Sequence, residues 1–267
     1  GQRAPLDAQL GIDVVLRKSE LERFVATDER RPDAFLFVFR HYYRDGWSVS
    51  IPYRIWAELP DDDYRVVIDS EFRDSELKIG EYRLEGKTPQ MITLISNICH
   101  PDQANDSITG VAAAVEVIER LRNVDRRFTY QFLFLPETIG SIAYLSQNSE
   151  VIPLIRFACF SEMLGTPGEI VLQKSRQGNT LIDKAAVMAL GPNVRQLRFR
   201  EGVSSDEMVF NGPGINIPTI SLTRCHDPQD PYPEYHSSLD TPDILDYSLI
   251  EAAAEKMAAL FSMLDRN

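Results

Sequence analysis

Cys99-His100-Pro101-Asp102-Gln103-Ala104-Asn105-Asp106-Ser107 follows the apolar run Met91-Ile92-Thr93-Leu94-Ile95-Ser96 and precedes the small-residue segment Gly110-Val111-Ala112-Ala113-Ala114-Val115. The apolar run reads as a buried strand and the small-residue segment as a helix, so the stretch between them is a turn at a strand end. A histidine and an aspartate six residues apart in such a turn can face one cleft. Imidazole nitrogen plus carboxylate oxygen is a ligand mix that zinc accepts. One pair alone is a weak signal, because both residues are ordinary in loops, and its meaning depends on partners elsewhere in the chain.

Outward from this turn, strands alternate with helices, the pattern of an α/β layered fold. Candidate strands fall at 91–98, 129–135, 155–161, 169–174 and 217–223, and candidate helices at 108–122, 138–148, 179–190, 204–211 and 246–264. The last helix carries Leu249, Ala252, Ala253, Met257, Leu260 and Met263 at helical spacing, a stripe suited to covering a sheet face. Upstream, the β-like runs 35–39, 47–51 and 64–68 are divided by turn chemistry such as Asp61-Asp62-Asp63, and 19–24 reads as a helical turn. Three regions are therefore predicted: an N-terminal extension (1–20), a small mixed α/β module or inserted-domain remnant (21–88) and a catalytic domain (89–267).

With 267 residues, 43% hydrophobic and 25% charged, the chain has the composition of a globular protein with one substantial core. A formal net charge of -12 argues against nucleic-acid or anionic-membrane partners, since neutralising phosphates takes clustered Lys and Arg. No apolar run approaches the roughly 20 residues that span a bilayer. The N-terminus lacks a signal peptide's apolar region, so a cytoplasmic location is expected. Cys99, Cys159 and Cys225 are widely spaced and form no thiolate metal motif; Cys99 reads as a buried thiol at a strand end.

Further acid and histidine loops follow other strands. Tyr130–Leu135 leads into Pro136-Glu137-Thr138-Ile139-Gly140-Ser141, and a carboxylate at a strand's carboxyl end lies where α/β sheets place their ligands. A first-turn helix acid is the alternative reading of Glu137. Glu162 ends the run Phe157–Ser161, Ser204-Ser205-Asp206-Glu207 precedes the strand 217–223, and Pro233-Glu234-Tyr235-His236-Ser237-Ser238-Leu239-Asp240-Thr241 precedes the terminal helix. Four such loops, each after its own strand, are harder to dismiss together than singly.

The order and wording of these motifs resemble the co-catalytic zinc aminopeptidases. Cys-His-Pro-x-x-Ala-Asn-Asp, Pro-Glu-Thr-Ile-Gly-Ser and Pro-Glu-Tyr-His-Ser-Ser-x-Asp are similar, more closely, to an offshoot, the bacterial aminopeptidase-like domain family, over roughly residues 30 to 250. The resemblance implies a three-layer sandwich, with a central mixed β-sheet flanked by helices and a small inserted domain. It also implies that His100 is the first metal histidine, Asp106 the bridging aspartate and His236 the second metal histidine. Glu162 falls where the family has an aspartate ligand. The family places two adjacent glutamates after the middle strand, one a base and one a ligand; here only Glu137 is present.

Two readings follow from that departure. Either Glu137 is a ligand in a two-ion site, or His100, Asp106 and His236 hold one zinc and Glu137 is the catalytic base. Three protein ligands and a water are usual for catalytic zinc, so one ion is favoured and two are the alternative. Asp206 is either a helix N-cap or a substrate contact. Asp240 is a partner that orients His236, or a turn cap. Tyr235 and Arg224 are candidates for an oxyanion or a substrate carboxylate, while His226 and His41 read as surface or packing residues. No Gly-x-Ser-x-Gly elbow supports a serine nucleophile.

The expected function is that of a zinc-dependent hydrolase, a metallopeptidase of aminopeptidase type, which cleaves an amide bond in a peptide or small molecule with metal-activated water. The alternatives are a glutaminyl-cyclase-like zinc transferase and a non-catalytic peptidase-like binding scaffold. Relatives commonly add a further inserted domain and a C-terminal winged-helix part. The chain is expected to lack the latter, which leaves a homo-oligomer open as compensation.

Overall fold

Burial alternates along Ile12–Arg17 (β1), the period-two pattern of a strand with one covered face. The computed structural model describes residues 11–38, 46–71, 73–101, 103–225 and 227–266; His41 and His226 lie outside them. After β1 come Lys18–Leu21 (α1), Val25–Ala26 (β2), Val49–Ser50 (β3), Tyr53–Glu58 (α2) and Asp63–Ile68 (β4). β1 pairs antiparallel with β4, and β2 parallel with β3. Their core is Leu21, Val25 and Trp56, joined by Leu16, Phe24 and Trp47. The Phe24 and Trp47 rings stack at 4.0 Å, and the Lys18 ammonium lies 5.2 Å from the Trp56 ring centre.

These elements belong to the smaller of two compact units, which runs to Glu76 and takes in His236–Leu239; the larger comprises Leu77–Tyr235 and Asp240–Asn267. The expected boundaries differ in two places. β1 is part of the smaller unit rather than of an extension, and Gly80–Leu84 (β5) joins the large sheet instead of the upstream module. Both segments pair with strands about 50 residues further along the chain, β1 with β4 and β5 with Phe128–Leu135 (β7), which local pattern does not report.

In the larger unit β5 is followed by Thr88–Asn97 (β6), Ile108–Leu121 (α3), β7, Ile139–Gln147 (α4), Ile155–Ser161 (β8), Val171–Gln173 (β9), Leu181–Leu190 (α5), Arg195–Leu197 (β10), Glu207–Phe210 (α6), Thr219–Thr223 (β11) and Tyr247–Asp265 (α7). The sheet order is β10-β9-β11-β8-β6-β7-β5, with antiparallel pairing only for β11–β9 and β5–β7. The central strands β6, β7 and β8 are nearly continuous apolar runs because both faces are covered. Ile92 and Leu94 face the helices α3, α5 and α7, whereas Met91 and Ile95 face Tyr144 and Leu145 of α4 and Phe210 of α6. The fold is thus a central mixed sheet flanked by helices, as expected. Among the described residues no helix is long and apolar enough to cross a membrane. All three cysteines are free, and Cys99 is exposed rather than buried.

One contact sets how closely α3 approaches the sheet. A Cβ on Gly110 would stand 2.2 Å from the Ser161 carbonyl oxygen, and backbone at the end of β8 has nowhere to move. Gly110→Ala is expected to cost about 1–3 kcal/mol by overpacking, read as a lower urea midpoint; an unchanged midpoint would contradict this packing.

Candidate functional site

The parallel strands β6, β7 and β8 end on one side of the sheet, and each opens into a loop carrying acid or histidine. After β6, His100 Nδ1 lies 2.8 Å from the Pro101 carbonyl and Nε2 lies 3.3 Å from Asp106 Oδ2. A carbonyl only accepts, so the proton belongs on Nδ1 and the Nε2 lone pair is left for a ligand bond. Burial pulls the His100 pKa down, but the Asp106 carboxylate, the Pro101 carbonyl and the Glu137 charge outweigh it and the net shift is upward.

The Ser107 hydroxyl reaches both Asp106 Oδ1 (2.7 Å) and Glu162 Oε2 (3.2 Å). Glu162 is buried, and its Oε1 has no hydrogen-bond partner among the described residues. Burial, then the charges of Asp106, Glu137 and Glu207, push its pKa well up. A buried carboxylate oxygen without a donor is the atom a cation would satisfy.

His236 has a left-handed backbone (φ +51°) and lies beside an isolated bridge between Leu36 and Ser237. Its carbonyl accepts from Phe37 N–H at 2.8 Å, and the two rings meet edge to face at 5.4 Å.

The supporting residues differ from their sequence readings. Asp240 is taken up by the backbone of the loop that carries Asp106. Its Oδ1 accepts from Asn105 N–H (2.8 Å), and its Oδ2 from Asp106 N–H (3.1 Å) and the Tyr232 hydroxyl (2.9 Å). Asp206 stands at the N-cap of α6 but makes no capping bond. Its Oδ1 accepts from Thr138 N–H (3.0 Å) and from the Ser141 hydroxyl. Arg224 is buried and donates from Nε to Leu164 O (2.9 Å), from Nη2 to Leu249 O (3.1 Å) and from Nη1 to Gly168 O. That guanidinium ties loops together and is not aimed at a substrate.

Tyr235 stacks edge-on against Tyr232. Burial first, then the charges of Asp106, Glu162 and Glu137, raise its pKa, so its hydroxyl stays protonated beside these acids as a hydrogen-bond donor. Among the described residues no Lys or Arg pairs with Glu162, Asp206, Glu207 or Asp240. Sequence reading passed over Asn105, Ser107 and Glu207. Asn105 Oδ1 accepts from Gly165 N–H (2.8 Å), and Glu207 accepts from Gln173 (2.8 Å) and Ser205 N–H (2.9 Å). Asn105 and Ser107 flank Asp106, and Glu207 follows Asp206, each within a quoted motif, the one signal available.

Residues 30–267 match a family described as a domain of unknown function, DUF4910. This chain belongs to the DUF4910 family. A Clostridium acetobutylicum protein, provisionally named a polysaccharide biosynthesis protein with aminopeptidase-like domain, is 36% identical to it over 203 residues. That match covers 74% of this chain and 46% of the relative, so the DUF4910 chain spans about half of the relative's length. A solved structure from the same species, provisionally called a peptidase, superposes with a TM-score of 0.85 at 29% identity, over 96% of this chain and 60% of that one. A zinc aminopeptidase from Bacillus subtilis shares the fold (TM-score 0.65, 13% identity, 90% of this chain and 63% of that one). So does a Bacteroides thetaiotaomicron glutaminyl cyclase (0.53, 20%, 68% and 75%).

Two outcomes follow from the buried acids. Asp240→Ala leaves two backbone N–H groups and the Tyr232 hydroxyl without their acceptor, an expected loss of about 2–4 kcal/mol in urea unfolding; a loss below about 1 kcal/mol would contradict the bonding. Burial raises Glu207 from 4.5 to about 7 and Asp206 from 3.8 to about 6. Both therefore hold their protons more tightly in the folded chain. Their stabilisation is complete below the ordinary carboxylate range and is lost as pH rises through about 6 and 7. Glu207→Gln is expected to gain on wild type by on the order of 2–3 kcal/mol between pH 5 and pH 8; a pH-independent difference would contradict the shift.

Proposed function

We propose that this protein is a zinc-dependent hydrolase of aminopeptidase type, acting on an amide bond in a peptide or small molecule. The observation that carries the proposal is the pairing of His100 Nε2 with Asp106 Oδ2 at 3.3 Å, linked through Ser107 to the buried Glu162 carboxylate with its one open oxygen, and His236 is the proposed third donor. Two nitrogens and a carboxylate oxygen are a donor set that suits zinc. The unpartnered Glu162 Oε1 fits as well, since a cation beside it would offset the burial and the neighbouring acid charges that raise its pKa.

In this reading His100, Asp106 and His236 hold one zinc, and Glu162 completes a second position if two ions bind. When bound, the metal polarises the scissile carbonyl and lowers the pKa of water. Glu137 accepts a proton from the attacking water and delivers it to the leaving amine. Its charge is felt by His100, Glu162 and Tyr235, which supports its facing the same space. Tyr235 supplies a hydroxyl donor, suited to charge developing on the carbonyl oxygen. The single glutamate after β7 suits a base better than a ligand, because one carboxylate does not readily do both.

The second reading, a glutaminyl-cyclase-like transferase, is supported by the fold shared with such an enzyme. There Glu137 would move a proton within an amino-terminal glutamine substrate, with ammonia leaving.

The test is metal analysis of protein prepared without chelators, followed by assay on aminoacyl-anilides, dipeptides and peptides with amino-terminal glutamine. Bound zinc is expected, with activity abolished by chelation and His100→Ala and lowered about 10²–10⁴-fold by Glu137→Gln. Protein that binds no zinc contradicts the proposal, and loss of ammonia from glutamine peptides without hydrolysis selects the cyclase. Zinc without turnover of any substrate leaves the binding scaffold.

A further inference from the structure

We propose that Asp206 is a positioning residue: it fixes the turn that carries Glu137 and acts on the reaction only through Glu137. The inference rests on the proposed role of Glu137 as the proton acceptor. Asp206 is fully buried, and both of its oxygens accept from protein donors. Although it occupies a helix N-cap position, its carboxylate reaches away from that helix to a turn 68 residues earlier in the chain.

The turn it reaches is strained. Thr138 has φ +60° and ψ -58°, close to the conformation of a γ-turn with positive φ, which is rare and strained. Such backbone persists only where surrounding bonds over-determine it. The peptide that joins Glu137 to Thr138 supplies the N–H that Asp206 Oδ1 accepts at 3.0 Å, so the acid grips the unit directly attached to the Glu137 Cα. The same oxygen takes the Ser141 hydroxyl from the first turn of α4. Thr138 is thereby held from both sides, with Ile139 N–H to Glu137 O (2.6 Å) and Gly140 N–H to Pro136 O (2.9 Å) closing the turn.

Asp206 is itself anchored. Its Oδ2 accepts from the Ser205 hydroxyl (3.3 Å), which accepts from Asn97 Nδ2 (3.1 Å) at the end of β6. The chain of bonds therefore references the Glu137 turn to the strand that leads into the His100–Asp106 loop. Glu137 and the proposed ligands then share one frame. A neutral acceptor would hold a strained N–H less strongly than a carboxylate does. Release of Thr138 to an ordinary φ would rotate the 137–138 peptide and swing the Glu137 side chain.

The experiment is a double-mutant cycle on the zinc-loaded protein, with amide exchange at Thr138 as a readout independent of turnover. D206A is expected to lower kcat about 10–100-fold, as a misplaced catalytic group does, with KM and zinc content within about 2-fold of wild type. D206N keeps one oxygen for Thr138 N–H and is expected to recover most of that loss. In an E137Q background, D206A is expected to cost less than about 2-fold further, because the group it positions is gone. Thr138 exchange is expected to accelerate in D206A and, more mildly, in S141A, which serves if D206A does not fold.

An equal loss from D206A with and without Glu137, a change confined to KM, or unaltered Thr138 exchange would overturn the proposal. A wild-type protein with no turnover would overturn the hydrolase reading instead. Thr138 exchange would then still decide whether Asp206 holds the turn.

Discussion

The loop between β6 and α3 has to turn sharply over the end of the sheet while keeping its backbone donors satisfied, and the Asp240 carboxylate is what allows this. It accepts the N–H groups of Asn105 and Asp106 from the opposite end of the larger unit's sequence. The Asn105 side chain, so placed, accepts from Gly165 N–H, and the Thr109 hydroxyl bonds the Asn105 carbonyl while accepting from Leu164 N–H. Glu162, just ahead of Leu164, is thereby held against Ser107 and Asp106. Loss of the one acceptor would loosen the turn, the Glu162 loop and the link between them.

Burial of this many acids together opposes folding unless something offsets it. Each of Glu162, Asp206, Glu207 and Asp240 has a pKa raised first by burial. Hydrogen bonds from backbone and hydroxyl groups offset part of that cost at Asp240, Asp206 and Glu207. At Glu162 one oxygen remains unsatisfied, which is where a cation has the most to contribute. Two roles therefore separate among residues of one charge: acids whose oxygens are filled by the protein hold loops, and Glu162 keeps an open oxygen for the proposed cation.

Much of this was legible in the chain because it is local. The apolar runs 91–98, 129–135 and 155–161 became β6, β7 and β8 within a few residues, since strands buried on both faces need uninterrupted apolar sequence. The motif loops follow those strands as read. What was not legible is non-local. Asp206 and Thr138 are 68 residues apart, and Asp240 and Asn105 are 135 apart. Neighbouring sequence offered a cap or a substrate contact for Asp206, and a partner for His236 or a turn cap for Asp240, whereas the carboxylates bond the Thr138 and the Asn105–Asp106 backbone. Arg224 looked available by its charge, yet a buried guanidinium surrounded by loop carbonyls is claimed by them. β5 shows a single buried residue, Leu84, so only its pairing with β7 reveals it as sheet.

The proposed zinc site of the DUF4910 chain has His100, Asp106 and His236 as its ligands. An anomalous-scattering map collected at the zinc edge, on crystals grown without chelator, tests it most directly. A peak bounded by these three side chains is expected, with any second peak beside Glu162. A map with no peak there, or with zinc held only elsewhere, would contradict it.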